Sequence, residues 1–465
     1  RDSSTSRGLG DVYKRQTLRL KRNGQSNLSQ TVKRNIIMSI GIKTVGVFVS
    51  LFIVPITLGY LSEEEYGIWL TLSSMLAWIG FFDIGLTNGL RNKLTEALAV
   101  KDNERAKIYL STTLFLLVSL MFVLLVIFGL CCGFIDWQTV FNSKTISLET
   151  LGKVAFYTIT FFCIQFALKV VTALFYATQC AAIADFLNML GSLGALIVIW
   201  LLTLVTPKGN LLAIALTFSI VPVVVLMIAY IIVFGGKYRS ISPSVKYIKF
   251  KYTKDLVGLG IKFFIVQAAA LILFTTSNFI ITQLFGPSEV TMYNIAFKYF
   301  SIATMAFTVL MAPMWNAYTE AYVRGDYIWM RNAFHKTLLI WGSIVLCSVL
   351  MLVFSRWAYE LWVGVKVASQ IPISLSIGCT LFVTIANWGN VTAMLLNGIG
   401  KIQIQLIVGS LMAVLYIPLS VLMGNYIGVA GVLYALCVVS LPGAILGMVQ
   451  VNKILNRTAG GVWAK

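Results

Sequence analysis

Charge is scarce in this chain. Only 11% of its 465 residues are Asp, Glu, Lys or Arg, whereas a soluble domain carries about 25%. His335 is the only histidine, which removes most metal-centre and general-base schemes at once. Acids number 17 against 36 Lys and Arg, so chemistry built on clustered carboxylates has little to draw on. The seven cysteines, Cys131, Cys132, Cys163, Cys180, Cys347, Cys379 and Cys437, lie in or beside apolar runs without metal-ligand spacing. They read as small buried hydrophobes. No phosphate-binding glycine loop with its lysine is present, so neither an internal ATPase nor a metal or organic cofactor is expected.

What the chain has in abundance is hydrocarbon. Hydrophobic residues make up 58% of it, and the mean hydropathy is +0.86. Its apolar runs reach the roughly 20 residues needed to cross a bilayer core of about 30 Å. Twelve spans are expected, at 36–58, 67–88, 108–130, 153–177, 182–205, 211–234, 257–284, 291–315, 337–355, 372–396, 403–423 and 428–451. The fold class is therefore an all-α integral membrane protein. The net charge of +19 could suggest nucleic acid, but its distribution suggests orientation. Counted along alternate connections, 27 Lys and Arg fall on the side of the N-terminus, 5 on the other, and 4 within spans. This places both termini in the cytoplasm and excludes a nucleic-acid role.

The chain also repeats itself. Gly41-Ile42-Lys43 recurs as Gly260-Ile261-Lys262, Ser62-Glu63 as Ser288-Glu289, and Thr95-Glu96-Ala97 with Asp102 as Thr319-Glu320-Ala321 with Asp326. The order and the near-constant offset predict two similar halves. Because six is even, the halves enter the membrane in the same direction, as parallel repeats around a central cavity. The expected divisions are a disordered or non-native basic tail at 1–34, six-helix lobes at 35–234 and 256–452, a cytoplasmic basic linker at 235–255, and a cytoplasmic tail at 453–465.

Charge within the apolar runs is the sharpest functional signal. Lys169 lies mid-span, too deep to snorkel with ease, and is expected to face a cavity or a partner. Lys43 and Lys262 occupy matching places nearer the cytoplasmic ends, where they either snorkel or face that cavity. Lys298 is shallow from the opposite side and shares a helical face with Asn294. The acids Asp83 and Asp185 fall near the inner ends of apolar stretches. A cavity biased toward cations suits an anionic substrate such as a phosphate group, with Lys169 expected as its central contact, helped by Lys43, Lys262 and Lys298. Asn278 and the run Asn387, Asn390 and Asn397 supply amides for sugar hydroxyls or for helix–helix bonding. Arg91 and Asn92 stand at the inner end of the second span, for a phosphate or for topology.

The segments Tyr60-Leu61-Ser62-Glu63-Glu64-Glu65-Tyr66-Gly67, Phe82-Asp83-Ile84-Gly85-Leu86-Thr87-Asn88-Gly89-Leu90-Arg91-Asn92 and Tyr293-Asn294-Ile295-Ala296-Phe297-Lys298-Tyr299 resemble the signature of O-antigen-type polysaccharide flippases. That family lies within the superfamily that includes multidrug and toxin extruders. The resemblance covers residues 33 to 455. It implies a twelve-helix, two-lobed bundle in the bacterial inner membrane that works by alternating access. It also implies a substrate of the undecaprenyl-pyrophosphate-linked oligosaccharide type, membrane lipids and other polysaccharide assembly proteins as partners, and coupling to a proton or sodium gradient. The alternatives are an exporter of cationic drugs with the same fold, disfavoured by the scarcity of buried carboxylates, and a membrane polymerase or ligase, disfavoured by short, mostly neutral outer loops. The orientation is testable. Alkaline phosphatase fused after Ser244 is expected to be inactive, and fused after Lys208 active; the opposite pattern would invert the topology.

Overall fold

A computed structural model describes residues 40–80, 86–206, 209–253, 275–311 and 314–464, with the single positions 38 and 272. Lys262, Asp83 and the tail at 1–34 lie outside the described residues. Among those described, regular structure is helical throughout. The first half contains α1 (Ile40–Tyr60), followed by α2 (Glu63–Ile79), α3 (Leu86–Ala99), α4 (Asn103–Cys131), the short α5 (Trp137–Phe141), α6 (Leu148–Ala177), α7 (Ala181–Val205) and α8 (Leu211–Gly235). The second contains α9 (275–285), then α10 (Pro287–Met311), α11 (Met314–Arg324), α12 (Tyr327–Val353), α13 (Ser355–Val363), α14 (Val365–Ala368), α15 (Ile373–Gly398), α16 (Gln403–Ile427) and α17 (Val429–Leu455).

Ten of these helices are long and apolar enough to span a membrane, and the chain is a multi-pass membrane protein. Of the twelve expected spans, those at 67–88 and 257–284 include residues outside those described. The run expected at 67–88 is described over α2, of 17 residues, and the start of α3, which continues to Ala99. The sequence of α3, with Thr87, Asn88, Arg91, Asn92 and Lys93, is too polar for hydrocarbon. The span expected at 257–284 is described only over α9. The run expected at 291–315 is described over α10 and the start of α11, and in both halves a helix rich in polar residues, α3 or α11, precedes the capped start of the next long helix.

The repeat is clearest in the turns. Asp102 caps α4 by accepting from the Arg105 amide at 2.9 Å, and Asp326 caps α12 by accepting from the Trp329 amide at 2.9 Å. The preceding residue is left-handed in both, Lys101 at φ 58° and Gly325 at φ 72°. Thr95 donates to the Ala177 carbonyl at 3.1 Å, and Thr319 to the Gly398 carbonyl at 2.6 Å, binding each polar helix to the end of α6 or α15. Packing repeats too: α6 contacts α4, α7 and α8 in one half, while α15 contacts α12 and α17, and α17 contacts α16, in the other. The linker after α8 lies on α4, where the Ser244 amide donates to Ser111 Oγ at 2.9 Å and the Lys249 amide to Thr112 Oγ1 at 3.1 Å.

The halves meet where α2 crosses α10. A capping box formed by Ser62 and Glu65 starts α2. One turn on, an added Cβ at Gly67 would fall 1.7 Å from the Pro287 carbonyl oxygen. Only glycine permits this approach. Beside it Thr291 donates to the Glu63 carbonyl at 2.7 Å, the Thr71 and Thr282 hydroxyls bond at 2.6 Å, and Asn278 donates to Ser74 Oγ at 2.7 Å. Gly67→Ala is expected to destabilise this junction by about 1–3 kcal/mol, as overpacking does. The measurement is thermal unfolding in detergent; an unchanged midpoint would show that the crossing tolerates separation.

Candidate functional site

The junction seals one end of the space between the halves. Asn142, left-handed at φ 48° at the end of α5, donates to the Thr282 carbonyl at 3.0 Å. Gln283 returns the contact, donating to the Val140 carbonyl at 2.7 Å. Gln370 donates to the Glu63 carboxylate at 3.1 Å, and Trp362 Nε1 to the Leu51 carbonyl on α1 at 3.0 Å. All these bonds join first half to second; those of Asn142, Gln283 and Gln370 gather at the end of α9 and the start of α2, and that of Trp362 meets α1 midway.

Away from that seal the halves part. A chamber of about 890 Å³ opens between α1, α7 and α10, lined by Lys43, Ser50, Asp185, Asn188, Thr304 and Met305 among others. It continues into a recess of about 270 Å³ that reaches Tyr66, Asn294 and Lys298. The two share Val47, Ser50, Leu51, Ile302 and Met305 and form one path. From Lys43 to Val54 that path follows α1 for roughly 16 Å at 1.5 Å per residue. Its walls are mainly apolar, with one lysine near the open end and another beneath the seal.

Lys43 faces Asp185 across 3.5 Å, with side chains 62% and 9% exposed respectively. Asp185 also accepts from the Tyr176 hydroxyl at 3.3 Å, and the Arg91 guanidinium stands 5.4 Å from the Tyr176 ring centre. Arg91 thus borders a separate polar pocket, with Asn92, Glu96 and Gln179, behind the same network. In the recess, half-buried Lys298 neighbours Asn294, which donates to Asn278 Oδ1 at 2.8 Å; Asn278 in turn reaches Ser74. This amide chain ties the recess to the junction. Asn387 is fully buried and donates to Thr304 Oγ1 at 3.4 Å, behind the chamber wall.

The structure therefore brings together Lys43, Lys298, Asn294 and Asn278, and links Arg91 to them through Tyr176 and Asp185. Lys169 stands elsewhere. Its ammonium lies 4.1 Å from the Phe166 ring centre within the first half, and it is absent from the lining of the chamber and recess. Sequence reasoning placed Asp185 but not its pairing with Lys43, gave no part to Asn142, Gln283 or Gln370, and none to Gly67 beyond its place at the end of a signature segment. The only sequence signal of the three polar residues is their polarity beside apolar runs.

An ammonium at each end of a largely apolar cavity can hold an anion whose other parts are greasy. Residues 32–314 match the family described as polysaccharide biosynthesis protein. The chain belongs to that family. A Salmonella typhimurium protein provisionally named O-antigen transporter is 21% identical over 386 residues, covering 81% of this chain and 86% of that one. A Yersinia pseudotuberculosis protein provisionally named O-antigen export protein is 22% identical, covering 78% of this chain and 82% of its own. Among solved structures, an inward-facing multidrug resistance MATE family transporter of the MOP superfamily matches with TM-score 0.76 at 15% identity, over 91% of this chain and 98% of that one. An outward-facing one matches with TM-score 0.64 at 16% identity, over 92% and 96%. The fold of this polysaccharide biosynthesis family member is that of a MATE-like transporter.

The one-sided opening makes a direct expectation. A cysteine replacing Met305 should react with a membrane-impermeant maleimide added from the side bearing Lys43, and be protected from the side bearing Glu63. Equal labelling from both sides would contradict the sealed junction.

Proposed function

We propose that the protein flips a lipid-linked saccharide of the polyprenyl-pyrophosphate type across the bacterial inner membrane, by alternating access, in polysaccharide (O-antigen or capsule) assembly. The observation that carries this reading is the continuous inter-half cavity with Lys43 toward its open end and Lys298 beneath its closed one. The pyrophosphate meets Lys43 first and Lys298 last. α1 and α10 wall the chamber and expose Phe48, Phe52, Val309 and Leu310, apolar surface along which a lipid tail stays in hydrocarbon while the headgroup is inside. Family membership and the names of the relatives support the substrate class. The better match to an inward-facing transporter than to an outward-facing one supports a cytoplasm-open state, with the termini on the cytoplasmic side as the basic residues dictate.

Transfer then requires the junction to open while the chamber mouth closes. Broken bonds at Asn142, Gln283 and Gln370 would be exchanged for water, so the transition costs little per bond. An ion gradient, of protons or sodium, would bias the cycle; no residue is assigned to it. Export of cationic drugs, the alternative with the same fold, is a poorer fit to a cavity holding two lysines.

The test is flipping of a fluorescent undecaprenyl-pyrophosphate oligosaccharide in proteoliposomes. Lys298→Gln is expected to lower the initial rate at least about tenfold, the scale of one charge-assisted contact. Lys169→Gln, away from the cavity, should lower it far less. Wild-type rates from Lys298→Gln, or ethidium efflux by a protein that fails to flip the glycolipid, would overturn the proposal.

A further inference from the structure

An acid in a cavity meant for an anion is a contradiction that the structure resolves by pairing. Asp185, its side chain only 9% exposed, faces Lys43 at 3.5 Å. It is held in place from behind by the Tyr176 hydroxyl at 3.3 Å, and the Tyr176 ring is backed by Arg91. Lys43, 62% exposed, is the more accessible member, its ammonium carried on a flexible four-carbon stem at the chamber wall. Asp185 and Tyr176 belong to α7 and α6 of the first half, whereas Lys43 is on α1, so the pair also ties α1 to the bundle.

We infer that Asp185 is a resident counter-ion that competes with the substrate's pyrophosphate for Lys43, lowering anion affinity at the mouth and reclaiming the lysine when the headgroup moves on. The inference rests on the flippase reading above and deepens it. Without Asp185, Lys43 would bind the anion more tightly and surrender it more slowly. With it, Lys43 exchanges one carboxylate for one pyrophosphate, and the two states differ little in energy. Uniformly tight binding gains nothing for turnover. An ammonium that is never without an anionic partner also avoids standing unpaired against apolar walls. Asp185 acts through Lys43 and is a positioning residue.

The experiment is a double-mutant cycle in nanodiscs at low ionic strength, with undecaprenyl pyrophosphate and uncharged undecaprenol as probes, together with flipping rates for the labelled glycolipid at saturation. Asp185→Asn is expected to tighten undecaprenyl pyrophosphate by roughly two- to fivefold, the worth of a partly exposed ion pair. It should leave undecaprenol unchanged and lower the saturated flipping rate, with Asp185→Glu restoring wild-type behaviour. In a Lys43→Gln background, Asp185→Asn should not alter affinity. Weaker or unchanged binding in the single variant, or equal tightening in the Lys43→Gln background, would overturn the inference while leaving the flippase reading intact. A wild-type protein that does not distinguish undecaprenyl pyrophosphate from undecaprenol would overturn that reading, and the inference with it.

Discussion

Two helices can cross this closely only where one of them has no side chain. At the α2–α10 crossing the Pro287 carbonyl fills the space that a Cβ on Gly67 would take. Everything nearby depends on that proximity. The Thr71–Thr282 and Asn278–Ser74 bonds need the helices in contact, and the contacts from α5 to α9 and from Gln370 to Glu63 need the same end closed. A hydrocarbon solvent gives helices no hydrophobic reason to associate, so small residues and polar bonds perform that task. They also make the junction reversible, since each such bond can be replaced by water once the gap opens.

The cavity is what remains when a bundle is closed at one end only. Its lysines gain meaning from their place along it. Lys43 lines the larger chamber and has a partner, Asp185. Lys298 lies where the cavity narrows, next to an amide chain running from Asn294 through Asn278 to Ser74 on α2. An anion drawn to Lys298 therefore arrives beside the bonds that hold the junction shut. In the proposed cycle, substrate position and gate would be coupled through these contiguous side chains, without a long-range path.

Much of this was legible in the sequence where the signal is local. The turns at Asp102 and Asp326, and the Thr95 and Thr319 tethers, repeat because a helix start needs an N-cap and a polar helix needs an anchor. The depth of a charge in a span could also be read. Its direction could not: α6 buries residues around most of its circumference, so nothing in the run from Leu148 to Ala177 says which way Lys169 points. The Lys43–Asp185 pair joins residues 142 positions apart, and no spacing rule connects them. Gly67 is one glycine among 36, and its necessity comes from Pro287, a neighbour that only the fold supplies.

The central claim is that substrate crosses only when the α2–α10 junction opens. Cysteines replacing Thr71 and Thr282, whose hydroxyls are 2.6 Å apart, are placed to form a disulfide across it. The decisive measurement is glycolipid flipping by this double variant, oxidised and then reduced in the same proteoliposomes. Flipping that stops on oxidation and returns on reduction is the predicted result. Flipping that continues at an undiminished rate with the disulfide formed would contradict the account.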